Sequence, residues 1–440
     1  MVADADTSLH PPVPGPRLQA VQRARVLGAG GLVDIALAGE RVAAVVPTGM
    51  SPPPGEPVLD VGGRAVLPAF VEPHIHLDKA YLLDRLEAAG LPAGTLAEAI
   101  ASTARLKPTF TRTDLRARAE RALHALLRHG CTAARVHVEI EPIVGLLGVE
   151  VHLELAAAYA GVFDLQLVAF PQDGIQRLPG VAELLEEALR LGCHVVGGCP
   201  YVDPDPAAHI DQVFALAERW GRPVDFHLDF SDDPHEAWVD HVCARARALG
   251  MQGRVAVGHL TSLAAMPPAE AAPRIAALVE AGVAVIALPA TDLYLSGRRV
   301  DHAPPRGITR LRELHAAGVL VALGNNNLQN AFTPVGNGNP LQMAWLAGLA
   351  GQLGTSAEQR LLLEMVTTLP ARILGLPPRG PTAGARADLV VLECIDPLLA
   401  VREVAPVAAV LRAGQLLPRP PSALPPVQLV APASTPPAAS

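Results

Sequence analysis

The stretch "AVLPAFVEPHIHLDKAYLLDRL" (residues 65–86) passes from an apolar, strand-like run through the pair His74 and His76 into a helical pattern. A short apolar run followed by an Ala/Leu-rich helical stretch is the βα alternation of a parallel sheet. The alternation recurs along the chain. Its runs are AVLPAF (65–70), TAARVHV (132–138), DLQLVAF (164–170), HVVGG (194–198), PVDFHL (223–228), RVAVGH (254–259), GVAVIAL (282–288) and GVLVALG (318–324). Eight such units over roughly 300 residues predict a closed (β/α)8 TIM-type barrel, an α/β fold that takes about 250 residues or more.

Outside this region the pattern changes. Short alternating runs such as "VDIALAGERVAAVVP" (33–47) predict β-hairpins, with a turn at Gly39. β pattern returns in "ADLVVLECIDPL" and "VAAVLRAGQLL". Residues 17–63 and 386–417 are therefore expected to form one small β-sandwich built from both chain ends, flanking a barrel over 64–385. Residues 1–16 and 418–440, rich in Pro, Ala and Ser, are expected to remain disordered.

Composition bounds the function. Half of the 440 residues are hydrophobic and 18% are charged, enough for a large core. A formal net charge of -8 without a basic run argues against nucleic-acid binding. Five scattered cysteines form no CxxC pair, so neither a disulfide framework nor a thiolate metal site is suggested. With no signal peptide and no spanning apolar stretch, a soluble cytoplasmic protein is expected, without membrane partners. Of 35 basic residues only Lys79 and Lys107 are lysines.

In a barrel of this type the active site lies at the C-terminal strand ends. There the chain places His74 and His76 after the first run, His137 after the second and Gln172 after the third. His227 and Asp229 follow the fifth run, His259 the sixth, Asp292 the seventh and Asn325–Asn327 the eighth. Strand alternation aims both rings of an HxH pair to one side, as two metal ligands require. His227 and His259, ending later strands, strengthen a metal reading.

Six segments, "LPAFVEPHIHLDKA", "LQLVAFPQDGI", "LLEEALRLGCHVVGG", "FHLDFSDD", "VGHLTSLAAM" and "PRGITRLRELHAAGV", together with the closing "GARADLVVLE", resemble the amidohydrolase superfamily, in its cytosine deaminase-like branch with the triazine-ring hydrolases. The resemblance implies one divalent ion (zinc, iron or manganese) held by His74, His76 and His227, with His259 polarising water or substrate. It implies substrate contacts at Gln172, Asn327 and Phe332. Two-metal relatives need a carbamylated lysine on the fourth strand, and "HVVGGCPYV" has none, so a mononuclear site is implied. The expected partner is a small heterocyclic substrate, and a homo-oligomer is expected.

Two positions depart from the branch. Phe230 stands where its catalytic glutamate is expected, and Asn326 where its eighth-strand aspartate is expected. Phenylalanine carries no proton, so catalysis needs another acid-base group. Asp229, two residues after His227, is the expected substitute together with His259; Asp232, Asp233 and Asp292 are further candidates. Asn326 is expected to coordinate through its amide oxygen or orient water. His137, Glu139 and Glu141 alternate onto one face and could supply a carboxylate, unless they are solvated strand-end charges. Lys79 suits an anionic or oxo-rich ring, or else a surface salt bridge with Asp78. The amide-rich "NNNLQNAFTPVGNGN" (325–339) suits a ring with alternating C=O and N–H, or a structural loop.

The function expected is hydrolysis of a non-peptide C–N bond in a cyclic amide, amidine or amino-heterocycle by attack of a metal-bound hydroxide. Two readings stay open beside it: a catalytically silent barrel that binds a small ring or a partner enzyme, and a true cytosine deaminase with a rebuilt proton shuttle.

Overall fold

The computed structural model describes residues 10–50 and 57–418. The end segments expected to be disordered lie mostly outside this range; within it, the Gly15 N–H donates to the Leu416 carbonyl at 2.7 Å.

The chain opens with strands β1 (Ala20–Val26), β2 (Leu32–Ala38), β3 (Arg41–Pro47), β4 (Val58–Asp60) and β5 (Ala65–Pro68). The β2–β3 hairpin turns at Gly39, whose positive φ of 61° glycine adopts without a steric cost. Eight parallel strands follow: β6 (Phe70–Ile75), β7 (Cys131–Glu139), β8 (Asp164–Phe170), β9 (Val195–Gly198), β10 (Val224–Leu228), β11 (Val255–His259), β12 (Val283–Ala287) and β13 (Val321–Leu323). Three more, β14 (Leu389–Leu392), β15 (Val407–Arg412) and β16 (Gln415–Leu417), return to the first sheet. That sheet runs β16-β15-β14-β5-β1-β2-β3, with β4 on β1, and is separate from the parallel one.

The run AVLPAF divides. Ala65–Pro68 pairs with β14 in the chain-end sheet, and the barrel begins at Phe70. The first barrel strand therefore includes His74 instead of ending before it. The change of sheet falls at Ala69, whose N–H still donates to the Asp388 carbonyl at 3.0 Å, while the Phe70 N–H donates to Gly130 of the barrel at 3.0 Å.

The parallel strands pair in sequence order from β6 to β13. Asn326 closes the ring: its N–H donates to the His74 carbonyl at 2.9 Å, and its carbonyl accepts from the His76 N–H at 2.8 Å. Most barrel strand residues are buried, as expected where helices cover a parallel sheet. At the opposite end, Arg412 and Arg386 bind Asp388 at 3.0 and 2.8 Å, and Arg412 reaches Asp164 at 2.5 Å. This ionic junction ties the chain-end sheet to the foot of β8 and leaves the mouth free for chemistry.

Candidate active site at the barrel mouth

Three separate strands deliver imidazoles to one point. His227 Nε2, on β10, lies 3.1 Å from His74 Nε2 and 2.9 Å from His76 Nε2. A fourth ring, His137 of β7, stacks on His74 with centroids 3.8 Å apart. His74, His137 and His227 form the triplet whose ligand atoms all lie within 4.8 Å of one another. This triplet and the set read from the sequence differ by one ring. His76 and His227 line the cavity at the mouth, whereas His137 turns Nε2 toward Asp225 Oδ1 at 3.3 Å, behind His74. Of the four rings, His76 and His227 reach the cavity wall, and His74 and His137 do not line it.

Burial first, and then the positive charge of neighbouring groups, holds His74, His76 and His227 well below the usual histidine range. These rings are neutral, with lone pairs to offer. Their Nδ1 atoms have no hydrogen-bond partner among the described residues, and the Nε2 atoms of His74 and His76 each meet that of His227. Asn326 adds a buried Oδ1 that is also without a partner. Ligand nitrogens in a tetrahedral zinc site with bonds of about 2.0–2.1 Å stand about 3.3 Å apart, slightly wider than here. The donor set fits a single divalent ion.

Neighbours fix the rings. A Cβ on Gly258 would come within 2.9 Å of His74 Cε1, so only glycine leaves room for that imidazole. Buried Glu72 accepts from the His74 N–H at 3.0 Å and from Asn325 Nδ2 at 2.6 Å, joining the first and last barrel strands. Burial pushes its carboxyl up to about 7. Asp225, beneath the rings, takes Arg135 Nη1 at 2.6 Å.

Backbone strain concentrates at the same rim. Asp229, His259, Leu260 and Asn326 have φ of 50°, 72°, 54° and 60°, a region that non-glycine residues seldom enter. At Asp229 this reverses an expectation. Period-two alternation would point Asp229 beside His227, but the left-handed turn rotates it away. Its two oxygens accept from the Trp238 and Val239 N–H groups at 2.8 and 3.1 Å, heading the helix Val239–Ala248. Asp229 does not line the cavity, and burial pushes its carboxyl up to about 7.

His259 does face the cavity. Its Nδ1 lies 2.7 Å from Asp292 Oδ1, which sets Nδ1 as the protonated nitrogen and leaves Nε2 as an acceptor. Asp292 thereby serves through His259. Phe230 packs on that ring with centroids 4.6 Å apart and brings no proton carrier. Asp232 and Asp233 are engaged by the N–H groups of Gly297 at 2.8 Å and His235 at 2.9 Å.

Lys79, Gln172, Asn326, Asn327 and Phe332 all line the cavity. Lys79 is buried and donates to Gln172 Oε1 at 2.8 Å, so the surface pair with Asp78 does not form; Asp78 Oδ2 instead accepts from the Glu139 N–H at 2.8 Å. Glu139 and Glu141 are buried but do not reach the cavity: Glu139 pairs with both lysines, and Glu141 accepts from the Ile143 and Val144 N–H groups. Neither solvated charges nor a spare carboxylate results. Sequence reasoning missed Tyr201, Thr291, Leu96 and Leu295 on the wall, and Lys107 behind it. Asp225 was legible, because two residues before His227 in a strand is the same face.

A barrel with convergent neutral imidazoles at its C-terminal mouth defines the class of metal-assisted hydrolase folds. The chain belongs to the amidohydrolase family, whose model matches residues 84–418. It is 30% identical over 388 residues to a pterin deaminase of Rhizobium rhizogenes, covering 86% of this chain and 84% of that protein. It is 25% identical over 367 residues to an N-isopropylammelide isopropyl amidohydrolase of a Pseudomonas species, covering 82% and 87%. Among solved structures, 5-methylcytosine deaminase from Klebsiella pneumoniae, liganded with 5-fluorocytosine, superposes with a TM-score of 0.85 at 28% identity over 94% of this chain and 99% of that one. No helix among the described residues is long and apolar enough to cross a membrane.

Proposed function

We propose that the protein is a metal-dependent hydrolase of a non-peptide C–N bond in a small cyclic amide, amidine or amino-heterocycle. The observation that carries this reading is that His227 Nε2 meets His74 Nε2 at 3.1 Å and His76 Nε2 at 2.9 Å, with His76 and His227 on the wall of a cavity that also holds polar groups for a ring. The relatives, named as a pterin deaminase, an N-isopropylammelide isopropyl amidohydrolase and a 5-methylcytosine deaminase, support the same bond class. One divalent ion held by those three rings would supply activation of water near neutral pH.

The chain's own groups supply the rest. His259 Nε2 accepts a proton and returns it to the leaving nitrogen, with Asp292 holding its tautomer. Asn326 Oδ1 offers an acceptor beside the imidazoles, while Lys79, Gln172, Asn327 and Phe332 hold the ring. Asp229 has no part in proton transfer.

The experiment is metal analysis with a turnover screen. About one zinc, iron or manganese per chain, lost in His227→Ala, and hydrolysis of at least one cyclic amide, pyrimidine, pterin or triazine are expected. A metal-free protein after reconstitution, inert on all four classes, would refute the reading. Phe230 packed on His259, with no acidic side chain among the described residues that line the cavity, favours a second reading, a silent barrel that binds a ring without cleaving it. Ring binding without turnover by the metal-loaded protein is its signature.

A further inference from the structure

Asp225 is a fully buried carboxylate with one oxygen in use and one in reserve. It stands two residues before His227 on β10, so both side chains leave the same face of the strand. Oδ2 accepts from Arg135 Nη1 at 2.6 Å, and Arg135 is itself held by Gln166 Oε1 at 2.8 Å and the Ile373 carbonyl at 3.1 Å. The guanidinium pins the carboxylate. Oδ1 has no hydrogen-bond partner among the described residues and faces two rings, His137 Nε2 at 3.3 Å and His74 Nδ1 at 3.9 Å.

The neighbouring buried acid makes the contrast. Glu72 stands two residues before His74, yet both its oxygens are taken, by the N–H groups of His74 and Asn325 and by Asn325 Nδ2. His76 and His227 have no equivalent of Asp225: among the described residues, no carboxylate oxygen lies within 4.0 Å of their ring nitrogens. Of the three rings that meet through Nε2, His74 alone has an acceptor near its other nitrogen.

That placement decides where a hydrogen sits. A neutral imidazole carries one, so a ring that offers Nε2 to an ion must hold it on Nδ1, and a buried N–H without an acceptor is costly. The same device is already assembled at His259, whose Nδ1 lies 2.7 Å from Asp292 Oδ1. At 3.9 Å the Asp225 contact is too long for a hydrogen bond. In a fully buried, low-dielectric pocket the carboxylate still favours the tautomer whose N–H faces it.

We propose, resting on the metal-dependent reading, that Asp225 is a positioning residue for His74. It keeps the hydrogen of that ring on Nδ1, so that Nε2 presents its lone pair, while Arg135 fixes the carboxylate in place.

The test compares the parent, Asp225→Asn, and the double variant Arg135→Gln with Asp225→Asn. Zinc affinity is read by chelator competition. The cobalt-substituted proteins are read by proton NMR, in which each imidazole bound through Nε2 shows its own exchangeable Nδ1–H signal, one for each of His74, His76 and His227. Asp225→Asn is expected to lower zinc affinity about 10–100-fold and to displace one of these signals while the others stay. It also strands Arg135 as a buried, unpaired cation, so a loss of stability accompanies it. The double variant removes both charges and is expected to recover stability in denaturant melts, but neither the zinc affinity nor the signal. Parent-like zinc affinity in the folded double variant, or all signals unmoved, means that Asp225 supports the fold alone and overturns the inference. The readings fail separately. A parent that takes up metal and cleaves no ring sinks the hydrolase and leaves Asp225 its role; a parent that cleaves rings, with zinc affinity unchanged in both variants, sinks that role alone; a parent that binds no metal sinks both.

Discussion

Gly258→Ala is the sharpest probe of the imidazole cluster, because it alters no ligand. The added Cβ would stand 2.9 Å from His74 Cε1 and 3.1 Å from His74 Nδ1, and 3.5 Å from the Phe226 carbonyl. Non-bonded carbons prefer about 3.5–4.0 Å, so the ring must retreat by roughly half an ångström or more. Retreat is obstructed on another face by His137, stacked at 3.8 Å. Overpacking of this kind costs about 1–3 kcal/mol of stability. Metal sites tolerate bond errors of about 0.2 Å, so the displaced Nε2 is expected to lower metal affinity by about 10–100-fold, the range seen when ligand support is removed. The assay is chelator competition read by metal content, with circular dichroism to confirm folding. Gly30→Ala, with open space around its Cβ, serves as control. A folded Gly258→Ala protein that holds its metal as tightly as the parent would refute the proposed role of His74.

Asn326→Asp is expected to raise metal affinity about 10-fold or more, because a carboxylate replaces an unpartnered amide oxygen beside three neutral rings; unchanged affinity in competition with a chelator would remove Asn326 from the ion's surroundings. Adding Phe230→Glu to that variant puts a proton carrier at the position whose phenyl ring now packs 4.6 Å, centroid to centroid, from His259, and release of ammonia from cytosine by the double variant alone is the expected outcome. Asp229 tests pH dependence. Its folded pKa, raised to about 7 by burial, exceeds the unfolded value near 4, so its contribution is fully present below pH 4 and is lost as pH rises through 7. Relative to Asp229→Asn, the parent should therefore lose stability, by about 2–4 kcal/mol, between pH 4 and 8 in denaturant melts, with parallel pH profiles counting against it.

How much of this was legible beforehand differs from residue to residue. His74 and His76 could be placed on one side because strand alternation is a local rule, and their meeting with His227 follows once eight βα units close a barrel. Asp229 obeyed the same counting and was misplaced by it, since a left-handed residue directly after a strand breaks the alternation, and nothing in "FHLDFSDD" announces a positive φ. The division of AVLPAF between two sheets was not readable, because a continuous apolar run carries no mark of where one sheet hands the chain to the other.

From residue order alone came the fold class, the family kinship, the rim histidines and the singular use of lysine at 79 and 107. These are carried by periodicity and residue type, which act over a few neighbours. Only the tertiary structure decided which nitrogens face each other, that both lysines share Glu139, and that Gln172 Oε1 and Asn327 Oδ1 are taken up by Lys79 and Asn330. Such facts depend on partners 93 residues apart for Lys79 and Gln172, or on a bond network closed in space. A side-chain amide has no fixed polarity until something obligate binds one end of it.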